Sequence, residues 1–134
     1  MDRRCEILIV DDEPIVGERL MATLQKDGHV VEAYTDPAEA MQRLEATTFD
    51  ILVCDIRMGE INGLEVMTKA LSESPRTKVV MITGYATLGL AREYLTKGAF
   101  DFIAKPFKLR EIRKVIGKAI AAIDSEDAAL DGGA

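Results

Sequence analysis

Four short apolar runs in this chain each lead into residues that handle charge. Asp50-Ile51-Leu52-Val53-Cys54 leads into Asp55. Ile7-Leu8-Ile9-Val10 leads into Asp11-Asp12. Lys78-Val79-Val80-Met81-Ile82 leads into Thr83-Gly84, and Phe100-Asp101-Phe102-Ile103-Ala104 leads into Lys105-Pro106. If the runs are strands of a parallel α/β sheet, their C-terminal ends share one edge, which is where such folds bind ligands. Three carboxylates, a hydroxyl and an ammonium then meet on that edge. Such a set binds a divalent cation and handles a phosphoryl group.

Carboxylates at close range repel and raise one another's pKa unless a cation intervenes. Hard oxygen ligands suit Mg²⁺, which takes one or two carboxylates together with waters and phosphate oxygens. Lys105 is a point charge able to pair with Asp55 or with a phosphoryl oxygen. Thr83 offers a hydroxyl. Taken singly, each has an ordinary explanation: a solvated acidic loop, a solvated lysine, a β-branched residue at a strand end. Their convergence from separate stretches favours a site. Lys105-Pro106 is also conformationally restricted and a candidate cis bond.

The elements that must position these residues alternate. Val16, Leu20 and Leu24 repeat at helical spacing after the first strand, and Gly28 stops that helix. Val30–Tyr34 reads as a second strand. Asp36-Pro37-Ala38-Glu39 reads as a helix start with a capping Asp, Pro at the first position and Glu three residues after the cap. Asn62-Gly63 breaks the loop after Asp55, and a third helix follows to about Ser74. Thr87 caps a fourth that ends at Gly98. Leu109, Ile112, Ile116, Ala119 and Ile123 make one face of a fifth. Five strands in strict alternation with five helices predict a doubly wound α/β fold with a parallel sheet. The flavodoxin-like order 2-1-3-4-5 puts Asp11, Asp12 and Asp55 beside the switch point between strands 1 and 3.

Bulk properties bound the function. At 134 residues, 48% hydrophobic and 30% charged, the chain has the size and composition of one globular domain. A net charge of −6 gives no broad footprint for nucleic acid, so no direct nucleic-acid binding is expected. No apolar run reaches the ~18 residues of a membrane helix. No secretory signal is visible, and a cytoplasmic protein is expected. Cys5 and Cys54 lie at opposite ends of neighbouring strands, roughly 15 Å apart at ~3.3 Å per residue. That is too far for a disulfide, so both read as small buried hydrophobes. His29, the only histidine, reads as a solvated loop residue after the first helix. Residues 124–134 carry little apolar material and read as a frayed tail or the start of a linker, with the folded domain at 1–123.

Together the motifs resemble one family. Val10-Asp11-Asp12-Glu13, Asp55-Ile56-Arg57-Met58-Gly59 with Gly63, Met81-Ile82-Thr83-Gly84-Tyr85, and Gly98-Ala99-Phe100-Asp101-Phe102-Ile103 with Lys105-Pro106-Phe107 look like the receiver domain of two-component response regulators. This is the CheY-like superfamily. The resemblance spans about residues 5–123. It implies that Asp55 accepts a phosphoryl group from a phosphohistidine of a sensor histidine kinase. It implies that Asp12, Asp55 and the Arg57 backbone carbonyl ligate Mg²⁺, with Asp11 acting through a water. Lys105, Thr83 and the Gly84 N–H would bind the phosphoryl oxygens. Thr83 and Phe102 would be the switch residues, Thr83 moving toward the phosphoryl group and Phe102 turning inward. The fourth helix, fifth strand and fifth helix would contact an output domain or effector, and a homodimer through the fourth and fifth helices stays open.

Three departures from the family pattern bear on function. Gly59 stands where proline is usual four residues after the acceptor. Arg57 and Tyr85 flank the acceptor at positions that tune hydrolysis in this family, and both are bulky, which points to slow decay. Phe102 lacks a tyrosine hydroxyl. Other classes stay open: a Mg²⁺-dependent phosphatase of similar topology with an aspartate nucleophile, or a binding module that is never phosphorylated. The adjacent Asp11-Asp12 pair, with the acceptor on a different strand, fits the phosphatase poorly. The stretches around Thr83 and Phe102 look most like receivers of NtrC-type transcriptional activators, and no output domain lies within the sequence.

Overall fold

The computed structural model describes residues 3–132. Five strands, β1 (Glu6–Val10), β2 (Val30–Tyr34), β3 (Ile51–Asp55), β4 (Lys78–Thr83) and β5 (Asp101–Ala104), form one parallel sheet in the order β2-β1-β3-β4-β5. They alternate with α1 (Pro14–Lys26), α2 (Pro37–Ala46), α3 (Gly63–Glu73), α4 (Leu88–Thr96) and α5 (Leu109–Gly132). The expected fold class and strand order are both present.

Strand alternation divides the core in two. Ile7, Ile9, Ile51, Val53, Val80, Ile82 and Ile103 face Leu20, Leu24, Ile112, Ile116 and Ala119 of α1 and α5. Leu8, Val10, Leu52, Cys54, Val79 and Met81 face Ala40, Leu44, Val66, Met67 and Tyr94 of α2, α3 and α4. Because both faces are covered, the strands read as continuous apolar runs, as parallel sheets do. Cys5 and Cys54 are free and buried, as expected.

The expected caps are in place. Asp36 accepts from the Ala38 N–H at 2.9 Å, with Pro37 opening α2. Thr87 accepts from the Leu90 N–H at 3.1 Å; Asn62, expected only as a break in the loop, also caps α3, accepting from the Glu65 N–H at 3.0 Å. Gly28 and Gly98 have φ of 96° and 118°, left-handed values that suit glycine after a helix. The Lys105-Pro106 bond is cis.

Two expectations are corrected. His29 is buried rather than solvated, and its Nδ1 accepts the Cys5 N–H at 3.0 Å. The start of β1 lies beside the α1–β2 turn, so this ring satisfies a backbone donor left over by the sheet. The stretch 124–132, read as a frayed tail or the start of a linker, is not frayed but continues α5; residues 133–134 lie outside the described residues. Its acids meet cations from distant stretches. Arg3 pairs with Asp124 at 3.0 Å and with Asp127, Arg76 pairs with Asp127, and Lys78 donates to Glu126 at 2.9 Å. Composition within 124–134 carries no trace of those partners.

Gly63 positions the strand that ends in Asp55. A Cβ there would lie 2.6 Å from the Asp55 carbonyl oxygen, 2.6 Å from Met81 Cε and 2.8 Å from Ile56 Cα. Its N–H also donates to the Ile56 carbonyl at 2.8 Å. Only a residue without a side chain lets α3 start this close to Asp55. Gly63→Ala is therefore expected to cost about 1–3 kcal/mol in urea unfolding. Gly117→Ala, on an open face of α5 with nothing near, should instead gain about 0.5–1 kcal/mol. Equal effects at the two positions would contradict this account.

Candidate functional site

β1, β3, β4 and β5 end on the same edge, and the residues that follow or close them meet there. Asp11, Asp12 and Asp55 each offer a carboxylate oxygen, and these oxygens lie within 4.8 Å of one another. Lys105 Nζ stands 2.8 Å from Asp11 Oδ2, 2.8 Å from Glu13 Oε1 and 3.3 Å from Asp55 Oδ2. Asp55, Thr83, Gly84, Lys105 and Arg57 line a single cavity of about 600 Å³.

Local structure holds each group. Asp55 closes β3 and is buried, with Oδ1 accepting from the Arg57 N–H at 3.4 Å. Asp11 follows β1 and is also buried, with Oδ1 accepting from the Glu13 N–H at 2.9 Å. Asp12 is exposed. Thr83 closes β4, fully buried, and its hydroxyl accepts from the Tyr85 N–H at 3.1 Å. Lys105 follows β5, and its N–H donates to the Thr83 carbonyl at 2.8 Å. Phe102 sits apart from the cavity. It pairs with Met81 across the sheet and packs, half-buried, against the α2, α3 and α4 side of the core.

Burial and charge work against each other here. Burial raises the Asp55 pKa, repulsion from Asp11 adds to it, and Lys105 opposes both. Burial likewise raises Asp11, opposed by Lys105 and the Glu13 N–H. Burial acts to lower the Lys105 pKa, but its carboxylate partners outweigh it and the pKa is raised. Asp11 Oδ2 is buried and has no hydrogen bond of good geometry, so its 2.8 Å contact with Lys105 is an ion pair only. A buried anionic oxygen with no hydrogen bond, among clustered hard donors, fits a small divalent cation. Mg²⁺ suits this donor set, and Asp11, Asp12 and Asp55 are the residues that would hold it.

Three features were not foreseen in the sequence. Glu13 reaches Lys105, which adjacency to the acid pair hinted at but no pattern demanded. Ile15, Val16, Leu20, Phe107 and Leu109 give the cavity an apolar wall, because α1 and the start of α5 flank it. The Arg57 guanidinium lies over the Tyr85 ring, 4.1 Å from its centroid. Both residues line the cavity, and Tyr85 is largely exposed.

The carboxylate shifts predict a pH dependence. With folded pKa values above the ordinary 3.8, Asp11 and Asp55 hold more protons in the folded chain than in the unfolded one. Their contribution to stability therefore falls as pH rises from that ordinary value through the raised folded values. Asp55→Asn removes one of these groups. In metal-free buffer at pH 7 the variant should melt above wild type, with the gap closing toward about pH 4. Scanning calorimetry checks this, and a variant that melts lower at pH 7 would contradict it.

The comparisons with known proteins agree with this geometry. Residues 7–117 match the response regulator receiver domain. The chain is 34% identical over 130 residues to the response regulator protein PilR of Pseudomonas aeruginosa, covering 96% of this chain and 29% of that protein. It is 33% identical over 114 residues to the regulatory protein AtoC of Escherichia coli, covering 85% of this chain and 25% of that protein. It thus spans under a third of the curated relatives it matches. A CheY-like receiver domain protein from Methanospirillum hungatei superposes with a TM-score of 0.86 at 29% identity, covering 92% of this chain and 99% of that one. NtrX from Brucella abortus gives 0.89 at 26% identity, over 96% of this chain and 29% of that one. With Asp55, Asp11, Asp12, Thr83 and Lys105 gathered on one sheet edge, the chain belongs to the receiver-domain family of two-component response regulators, and is homologous to the receivers of NtrC-type regulators.

Proposed function

We propose that this domain receives a phosphoryl group on Asp55 from a phosphohistidine of a sensor histidine kinase and carries it as a signal. The observation that supports this most is the pairing of one buried carboxylate, Asp55, with Lys105 at 3.3 Å beside the Asp11 and Asp12 carboxylates. An Asp55 oxygen attacks phosphorus, the P–N bond breaks, and the imidazole nitrogen leaves with the bonding pair. Phosphoryl transfer of this kind needs positioning and charge neutralisation more than covalent machinery. Asp11, Asp12, Asp55 and the Arg57 backbone carbonyl are the proposed holders of Mg²⁺. When bound, the cation neutralises carboxylate and phosphoryl charge. Lys105, the Thr83 hydroxyl and the Gly84 N–H bind the phosphoryl oxygens. The domain catalyses only its own phosphorylation and dephosphorylation.

The signal leaves through Thr83 and Phe102. Thr83 is enclosed, and its hydroxyl has a single light tie, to Tyr85. Turning toward a phosphoryl oxygen empties space behind it, and half-buried Phe102 on the neighbouring strand turns inward. This is a local charge change that biases a two-state element. α4 is the softest part of the face it reaches. It is short, buries only Tyr94 well, and leaves Leu88 and Leu95 exposed. An output domain, an effector or a second copy of the chain would read α4, β5 and α5. Among the described residues no helix is long and apolar enough to cross a membrane, and a cytoplasmic setting follows from the proposed kinase partner.

The test is phosphorylation by acetyl phosphate, read at once by intact mass. One added phosphoryl group that requires both Mg²⁺ and Asp55 is expected, with none on Asp55→Asn. Transfer that survives that substitution, or no transfer and no beryllofluoride binding, would end the phosphoacceptor reading. The Arg57–Tyr85 stack at the cavity mouth hinders approach of water, so the acyl phosphate should persist for minutes or longer. Arg57→Ala should shorten it. A wild-type lifetime of seconds would contradict the shielding.

A further inference from the structure

We infer that Glu13 is a positioning residue: it holds the Lys105 ammonium on the acid edge and competes with an arriving phosphoryl group for it. This rests on the reading of Asp55 as phosphoacceptor. Glu13 occupies the N-cap position of α1, ahead of Pro14. Side chains there normally accept from the first N–H groups of the helix, and short residues do so best. Glu13 makes no such bond. Its carboxylate turns to Lys105 Nζ at 2.8 Å, while its own N–H is engaged by Asp11 Oδ1.

The ammonium has three protons, and three carboxylates face it. Asp11 and Glu13 stand at 2.8 Å and Asp55 at 3.3 Å, so the acceptor has the longest contact. Two of the three protons are thus engaged, by Glu13 and Asp55, and Asp11 faces the ammonium as an ion pair, before any phosphoryl group arrives. Asp11 and Asp55 belong to the cation cluster, and Glu13 does not. Once those aspartates turn to a cation, Glu13 is the partner Lys105 keeps. Glu13 is also the replaceable partner, with a side chain 59% exposed against 0% for Asp11. A phosphoryl oxygen therefore takes Lys105 chiefly from Glu13. The contact keeps the lysine extended over the acceptor yet easily released.

Beryllofluoride with Mg²⁺, a phosphoryl stand-in, gives the test. Glu13→Gln should tighten its binding about two- to fivefold, the range expected for an exposed ion pair. The same substitution in a Lys105→Met chain should have no effect, since the cycle isolates the pair. An equal gain in both backgrounds would mean a through-space effect of one negative charge and would overturn the inference. So would no gain in either. A second readout needs no ligand. With ¹³C-labelled lysine, Glu13→Gln should shift the Lys105 ε-methylene resonance and leave the other lysines in place, and an unmoved Lys105 resonance would overturn the inference. Failure of the wild type to bind beryllofluoride would sink the phosphoacceptor reading instead, and the lysine resonance would still judge the contact.

Discussion

Two buried carboxylates beside each other are the constraint on which the rest of this structure depends. Asp11 and Asp55 are both withdrawn from water, and Asp11 makes Asp55 harder to ionise. One ammonium, Lys105, sits against both. That single cation does not offset the burial of two carboxylates, whose pKa values stay raised beside it. The edge is therefore held in a state of unmet charge, and added positive charge is the natural way to relieve it. That is the condition a switch needs: a small chemical change at Asp55 alters the balance on three strands at once.

The fold serves this arrangement by tight packing near Asp55 and looser packing beyond it. Gly63 lets α3 begin against the Asp55 carbonyl, and the two core layers hold β1, β3 and β4 without freedom. Past Thr83 the packing thins. The loop from Gly84 leads into short α4, which exposes Leu88 and Leu95. Regions with few buried contacts are where opening costs least. Charge is thus concentrated where packing is tight, beside a segment where packing is loose.

Much of this was legible in the sequence because it rests on local pattern. Apolar runs gave the strands, Asp36-Pro37 and Thr87 gave helix starts, and strict alternation gave the sheet. Asp11, Asp12, Asp55, Thr83 and Lys105 were legible as a group because the parallel topology brings all strand ends to one edge. What was hidden depends on contacts between distant residues. His29 looks solvated until the start of β1 supplies a backbone donor. The stretch 124–132 looks frayed until Arg3, Arg76 and Lys78 arrive from elsewhere. Glu13 looks like one more loop acid until β5 delivers Lys105, and the Arg57–Tyr85 stack needs two loops to meet. Polar contacts over long sequence separations leave no periodicity to read.

The most direct measurement of the central claim, that this edge is one charge-coupled site, is a map of backbone amide shifts. Mg²⁺ would be titrated first and beryllofluoride second. The account predicts that Mg²⁺ alone moves the amides of Asp11 to Glu13 and Asp55 to Arg57. Beryllofluoride should then move Thr83 to Tyr85 and Phe102 to Lys105, while Cys5 and Thr77 at the opposite end of the sheet stay still. Shifts confined to scattered surface acids such as Asp124 and Asp131, with no second response at Thr83, would contradict it.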